Sequence, residues 1–275
     1  MKISRQTVEV NGLPIHYEVT GAGEPIVLVH GLSESTRLWY RNLPELAEHY
    51  RVYLVDLPGF GAMRAFHRHF NLKQSGVWLD AWMQVVGLEA TSLVGHSLGG
   101  YVCMALAALR PEKITRLVLV DSLGIPFHRP VHRLIYPALK AIVKTHPSFW
   151  PCIHYDYLRA GPLMVHRAAR QIVELDAAPV IAAVRVPTLL IWGENDDLIP
   201  LAFGRQLHVQ LAGSRLLVLP RSNHFPMYER PHEFNNMLIT FLQGQDVGAT
   251  TPEARLLPYG QMGEASREGG NLHAL

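Results

Sequence analysis

Gly95-His96-Ser97-Leu98-Gly99-Gly100 is the stretch that decides how this chain is read. Residues 91–94 before it are strand-like, and residues 101–109 after it are an apolar run of helical character. A serine on so sharp a strand-to-helix bend has its hydroxyl thrust clear of the backbone. The flanking glycines fit because a larger side chain would collide with neighbouring backbone at such a turn. Ser97 is therefore a candidate nucleophile, and the rest of the chain has to supply a base, an acid and a site for the developing charge.

Outward from the turn, the apolar pattern sets the fold class. Residues 8–10 and 15–19 alternate around Asn11-Gly12, the mark of two strands joined by a tight turn. Ile26-Val27-Leu28-Val29, Val52-Tyr53-Leu54-Val55, Ser92-Leu93-Val94, Leu117-Val118-Leu119-Val120, Thr188-Leu189-Leu190-Ile191 and Leu216-Leu217-Val218-Leu219 are continuous apolar runs. Such runs read as strands buried on both faces, the signature of a parallel sheet. Helical stretches at 43–48, 77–87, 101–109, 201–211 and 234–242 separate them. The expected fold is α/β, a mostly parallel doubly wound sheet covered on both faces.

Between Val120 and Thr188 the alternation stops for some sixty residues rich in proline, histidine and aromatic side chains. A structureless loop of that length is out of place in a compact domain. The expected division is a core of residues 1–122 and 185–242, with a mostly helical insertion at 123–184 after the sixth core strand. Residues 243–275 are polar and Gly-rich and are expected to form a flexible tail, with Leu256-Leu257-Pro258-Tyr259 its one apolar cluster.

Bulk composition narrows the function classes. With 275 residues, 48% hydrophobic and 17% charged, the chain can bury a large core. A formal charge of +2, spread along the chain, argues against nucleic-acid or anionic-membrane partners. The longest apolar run is far short of a bilayer span, and the first residues lack the apolar stretch of a secretory signal. The two cysteines, Cys103 and Cys152, are expected as free thiols in a reducing cytoplasm. None of the 15 histidines has zinc-site spacing.

In a parallel sheet, sites form in the loops beyond the carboxyl ends of the strands. Those loops hold His30-Gly31, Asp56, Ser97, Asp121, then Glu194, Asp196 and Asp197, then His224. A nucleophile, an imidazole and carboxylates thus fall on one edge, as a Ser–His–acid triad requires.

Over residues 5–242 the chain resembles the α/β-hydrolase family. The residues that carry the likeness are His30-Gly31, Asp56-Leu57-Pro58-Gly59-Phe60-Gly61, Gly95-His96-Ser97-Leu98-Gly99-Gly100, Gly193-Glu194-Asn195-Asp196 with Pro200, and Asn223-His224-Phe225-Pro226 with Glu229 and Pro231. The order Ser, Asp, His is the family's own. The resemblance implies Ser97 as nucleophile, His224 as general base and Asp196, at the Gly-x-x-Asp position, as the acid. Asp121, used for that role in some branches, and Asp197 are the alternatives. The backbone N–H groups of Leu32 and Leu98 are the matched oxyanion donors. His30 and His96 are expected as structural supports, and Asp56 and Glu229 as loop and helix-start supports.

The same resemblance implies acyl transfer without metal or organic cofactor. A serine at this position, where dehalogenases and epoxide hydrolases carry aspartate, leaves esterases, lactonases, amidases, perhydrolases and C–C bond hydrolases. An aromatic-rich cap at 123–184 implies a small-molecule substrate with an apolar portion, an ester first. A second class of reading is a ligand receptor with an idle triad. Oligomeric state stays open at this level.

Overall fold

The computed structural model describes residues 1–127, 130–247 and 254–257. Strands β1 (Ser4–Val10) and β2 (Leu13–Thr20) form the antiparallel hairpin. Asn11 and Gly12 connect them at φ of 50° and 77°, the left-handed values a two-residue hairpin turn needs. The strands that follow are β3 (Glu24–Val29), β4 (Tyr50–Val55), β5 (Thr91–His96), β6 (Ile114–Val120), β7 (Thr188–Gly193) and β8 (Arg215–Leu219). A last strand, β9 (Arg255–Leu257), completes one sheet in the order β1-β2-β4-β3-β5-β6-β7-β8-β9.

From β4 through β8 every neighbouring pair is parallel. Strand β4 lies on one side of β3 and β5 on the other, so the winding reverses there and a crevice opens beyond their carboxyl ends. The continuous apolar runs now have a plain cause. Val27 and Val29 enter one core while Ile26 and Leu28 enter the other, and Leu190 and Trp192 divide from Leu189 and Ile191 in the same way.

Helices α1 (Leu43–His49), α2 (Ser75–Val86) and α3 (Leu98–Leu109) belong to the first half of the chain. Four more, α4 (Ile135–Lys144), α5 (Trp150–Ala160), α6 (Pro162–Val173) and α7 (Ala178–Ala183), fill the interval between β6 and β7. Helices α8 (Leu201–Gln210), α9 (Pro226–Glu229) and α10 (Pro231–Leu242) complete the set. One sheet face is covered by Leu79 and Trp82 of α2 with Val102 and Leu106 of α3. Leu43 and Leu46 of α1, with Phe234 and Leu238 of α10, cover the other. Each such side chain contributes about 1.5–3 kcal/mol on burial, which holds the layers together.

The helical interval packs against loops at the carboxyl edge of the sheet. Phe149 stacks on Tyr228 with ring centroids 4.0 Å apart and meets Phe225 at 5.1 Å. Asp156 accepts hydrogen bonds from Ser35 Oγ at 2.6 Å and from Arg37 Nη1 at 2.7 Å.

The expected flexible tail differs from what is found at its apolar cluster. Arg255–Leu257 pairs antiparallel with β8, placing Leu257 opposite Leu216 and Arg255 opposite Val218. Arg255 also reaches Glu194 at 2.5 Å, and Val247 is buried. The bare edge of β8 offers unpaired backbone groups, and this short segment satisfies them. Residues 248–253 and 258–275 lie outside the described residues.

Candidate active site

Ser97 sits between β5 and α3 at φ 50° and ψ −114°, a conformation that costs on the order of 1–3 kcal/mol for a residue with a side chain. The turn is held by the Ser97 N–H donating to the Val120 carbonyl at 2.9 Å, and by Leu123 N–H donating to the Ser97 carbonyl at 3.0 Å. Glycine is required on both sides. A methyl group at Gly95 would stand 2.6 Å from Gly100 N and overlap the Gly99 carbonyl oxygen, and one at Gly99 would overlap the carbonyl oxygens of Val29 and His30.

His224 follows β8, and its Nδ1 lies 2.7 Å from Asp196 Oδ2. Asp196 follows β7, and its other oxygen accepts from the N–H groups of Leu198 at 2.8 Å and Ile199 at 2.9 Å. A carboxylate bonded in this way is fixed in orientation, and it fixes the imidazole with Nδ1 protonated and Nε2 free to act as a base. Burial alone would push the His224 ring down, but the charge of Asp196 and the bond to it hold its pKa above the usual histidine value.

Of the alternative acids, Asp121 is wholly buried, and its Oδ1 accepts from Gly193 N–H at 2.9 Å. Its Oδ2 has no hydrogen-bond partner within normal geometry. Burial, and then the charge of Asp196, raise its pKa well above the usual carboxylate value. One ligand atom from each of Asp121, Asp196 and His224 falls within a 4.8 Å group. Asp197 faces the other way and pairs with Lys140, at 2.9 Å, and Lys144 of α4. Against partial burial, those two ammonium groups hold it below the usual carboxylate value. Of these three carboxylates, only Asp196 bonds the imidazole.

The two expected oxyanion donors lie on loops that converge here. Leu98 is the first residue of α3, where an N–H has no acceptor inside the helix and the helix dipole favours negative charge. Leu32 lies in the loop after β3. Beside it Ser33 stands at φ 63°, and its hydroxyl is buried without a partner. Neither the strain nor the buried hydroxyl at Ser33 has a signal in the sequence.

The supporting histidines are fixed by their partners. His30 Nε2 accepts from Leu57 N–H at 3.0 Å while its Nδ1 donates to the Gly31 carbonyl at 2.8 Å, so the ring is held at both nitrogens. His96 contacts Glu34 and the His224 carbonyl, and its ring lies 4.7 Å from that of His224. Asp56 accepts from Thr36 N–H at 2.8 Å and Ala62 N–H at 2.7 Å, a loop support. Glu229 ends α9 and accepts from Ser222 Oγ at 2.8 Å and Asn223 N–H at 2.7 Å, bracing the loop that carries His224. A separate crevice of about 340 Å³ opens between Arg5, Glu18, Arg37, Tyr40 and Asp56. Of its three arginines, Arg5 and Arg37 are paired with Glu18 and Asp156 and Arg159 donates to Tyr155 Oη, and it does not include Ser97 or His224.

Comparison with known proteins agrees with this architecture. The model of the alpha/beta hydrolase family matches residues 26–237. A 2-hydroxy-6-oxononadienedioate/2-hydroxy-6-oxononatrienedioate hydrolase of Paraburkholderia phymatum is 29% identical, covering 84% of this chain and 91% of that one. A pimeloyl-[acyl-carrier protein] methyl ester esterase of Aeromonas hydrophila is 27% identical, covering 84% of this chain and 100% of its own. Among solved structures, a thermophilic esterase from Thermogutta terrifontis superposes with a TM-score of 0.73 at 25% identity, over 88% of this chain and 98% of that one. Among the described residues no helix is long and apolar enough to cross a membrane. The chain belongs to the alpha/beta hydrolase family.

Proposed function

We propose that the protein is a serine hydrolase working through an acyl-enzyme, with Ser97 as nucleophile, His224 as general base and Asp196 as the triad acid. The observation that carries this reading is the buried 2.7 Å bond from His224 Nδ1 to Asp196, which leaves Nε2 unprotonated on the edge where the strained Ser97 stands. His224 Nε2 takes the Ser97 proton as the oxygen attacks a carbonyl carbon. The oxyanion is met by the N–H groups of Leu32 and Leu98. His224 then gives its proton to the departing alcohol, and a water that it activates attacks the acyl-enzyme and releases the acid. These steps use side chains and backbone alone.

A carboxylic ester with an apolar acyl or alcohol portion is the favoured substrate. Residues 123–184 act as the cap, and Phe149 and Ile153 of that segment are buried beside Phe225, next to His224. A second reading is hydrolysis of a C–C bond, favoured by the similarity to the Paraburkholderia phymatum hydrolase. Unbridged Cys103 and Cys152 fit a reducing, cytoplasmic setting.

The test is labelling with a fluorophosphonate, followed by burst kinetics on p-nitrophenyl esters of graded chain length and on a 2-hydroxy-6-oxodienoate. Labelling and an ester burst, both lost in Ser97→Ala, are expected. Turnover of the dienoate without ester turnover would select the C–C reading. A chain that binds small apolar ligands tightly but neither labels nor turns over would be a receptor.

A further inference from the structure

The residue before the nucleophile is hydrogen-bonded at both ring nitrogens. His96 Nε2 lies 2.8 Å from the His224 carbonyl oxygen, which only accepts, so Nε2 carries a proton. His96 Nδ1 lies 3.0 Å from Glu34 Oε2, and that same oxygen accepts the Gly31 N–H at 2.6 Å. Bonds this short to an oxygen with two donors suit a carboxylate. Burial would raise the Glu34 carboxyl, but His96, then His30 and the Gly31 N–H, hold it below the usual glutamate value. With Glu34 ionised, Nδ1 also has to donate, and both ring nitrogens are protonated.

We propose that Glu34 and His96 are positioning residues, a buried carboxylate–imidazolium pair that locks the oxyanion loop, the nucleophile turn and the His224 loop into one register. This rests on the serine-hydrolase reading above. Glu34 closes a ring onto Gly31, clamping the loop one residue before Leu32 and two after it, across the strained Ser33. The imidazole of His96 leaves the end of β5 next to Ser97 and bonds Glu34 on one side and the backbone of His224 on the other. One ring thereby joins the three loops that carry the oxyanion donor, the nucleophile and the base. Both side chains are buried, His96 fully and Glu34 with 7% of its side chain exposed, so solvent competes little for these bonds.

A misplacement of about 1 Å in such an array costs on the order of 10²-fold in rate. Glu34→Gln keeps the shape and removes the charge. It is expected to lower kcat on the best ester by about that factor, with KM within about threefold and an unchanged unfolding temperature. The charge state has a readout that needs no turnover. In a ¹⁵N-imidazole spectrum of the wild-type chain at neutral pH, assigned with His96→Gln, both nitrogens of His96 should resonate as protonated. In Glu34→Gln one of them should become unprotonated. An unprotonated nitrogen on His96 in the wild type, or an unchanged kcat in Glu34→Gln, overturns the proposal. If Glu34→Gln does not fold, the wild-type spectrum decides alone. Failure of the wild type to label with fluorophosphonate would sink the hydrolase reading, while the spectrum would still decide whether the ion pair exists.

Discussion

Asp121 and Asp196 stand at the ends of neighbouring strands, both buried, with carboxylate oxygens inside one 4.8 Å group, and Asp196 is the one that bonds His224. Two carboxylates this close and this dry do not both ionise. Asp196 accepts two backbone N–H bonds and the bond from His224, whereas Asp121 accepts a single N–H from Gly193. Burial and the charge of Asp196 accordingly raise the Asp121 pKa well above its ordinary value.

Asp121→Asn replaces this raised-pKa carboxyl by a neutral isostere, so ester turnover should stay within a few-fold of wild type. Asp196→Asn should cut kcat by about 10⁴, the loss seen when a triad acid is neutralised. The opposite ranking in a kcat/KM comparison would make Asp121 the triad acid. Stability has a matching sign. With its folded pKa raised above the unfolded value, Asp121 contributes less stability as pH rises from the unfolded value, about 3.9, toward its raised folded value. Asp121→Asn removes that loss, and its unfolding temperature should gain on wild type as pH increases over that window.

The raised pKa of His224 fixes the acid side of the rate profile. In the proposed mechanism His224 acts as neutral imidazole, so kcat/KM should rise with pH through a midpoint above about 6.5, the ordinary histidine value. Asp196→Asn removes the main cause of the upward shift and should move the residual activity's midpoint down. The ion pair's stability is fully present below the unfolded histidine pKa and lost as pH rises through the folded one. A wild-type midpoint below 6.5 would contradict the Asp196–His224 geometry.

Much of this was legible in the sequence because it depends on short-range pattern. Buried parallel strands read as apolar runs, and the turn at Ser97 declares itself by its glycines. The acid was not legible at the same level: Asp121, Asp196 and Asp197 all follow core strands. What separates them is an Nδ1 contact, a missing partner on Oδ2 and two lysines from α4, which are tertiary facts. Glu34 likewise looks like any loop glutamate until β5 places His96 against it. Strand β9 has little signal in the sequence because three residues of weak alternation gain their meaning only from the open edge of β8.

Asp197 offers a check on the assignment from outside the triad. It bridges Lys140 and Lys144 and is about a quarter exposed, so the pairing is worth at most about 1 kcal/mol and is screened by salt. Asp197→Asn should leave kcat/KM unchanged and lower the unfolding temperature slightly, a difference that shrinks in high salt. A large loss of activity would show that the lysine pairing is not its main engagement.

Gly95→Ala tests the turn. The added methyl would meet the backbone of Gly99 and Gly100, which cannot swing aside as a side chain can. Overpacking of this kind costs about 1–3 kcal/mol or more, read as a lower urea midpoint. The strained Ser97 would shift with it, so fluorophosphonate labelling should slow even in the fraction that remains folded. Full labelling at wild-type rate would mean the elbow tolerates a side chain.

Truncation after Gly244 separates what β9 does from what the core does. The proposed triad, its glycine turn and, among the described residues, both cores save Val247, Ala254 and Leu257 lie before that point, as does all of the sheet up to β8. Basal activity should therefore persist. Removing Arg255–Leu257 uncovers the backbone groups of β8 at Leu216, Leu217 and Val218, an edge that a second chain can pair with. The truncated protein should elute as larger species at high concentration, while Arg255→Ala, which removes the Glu194 contact but keeps the strand, should not. A truncated chain that is inactive at every concentration would mean that β9 or Val247 is needed for the core itself, because edge pairing alone leaves the site intact.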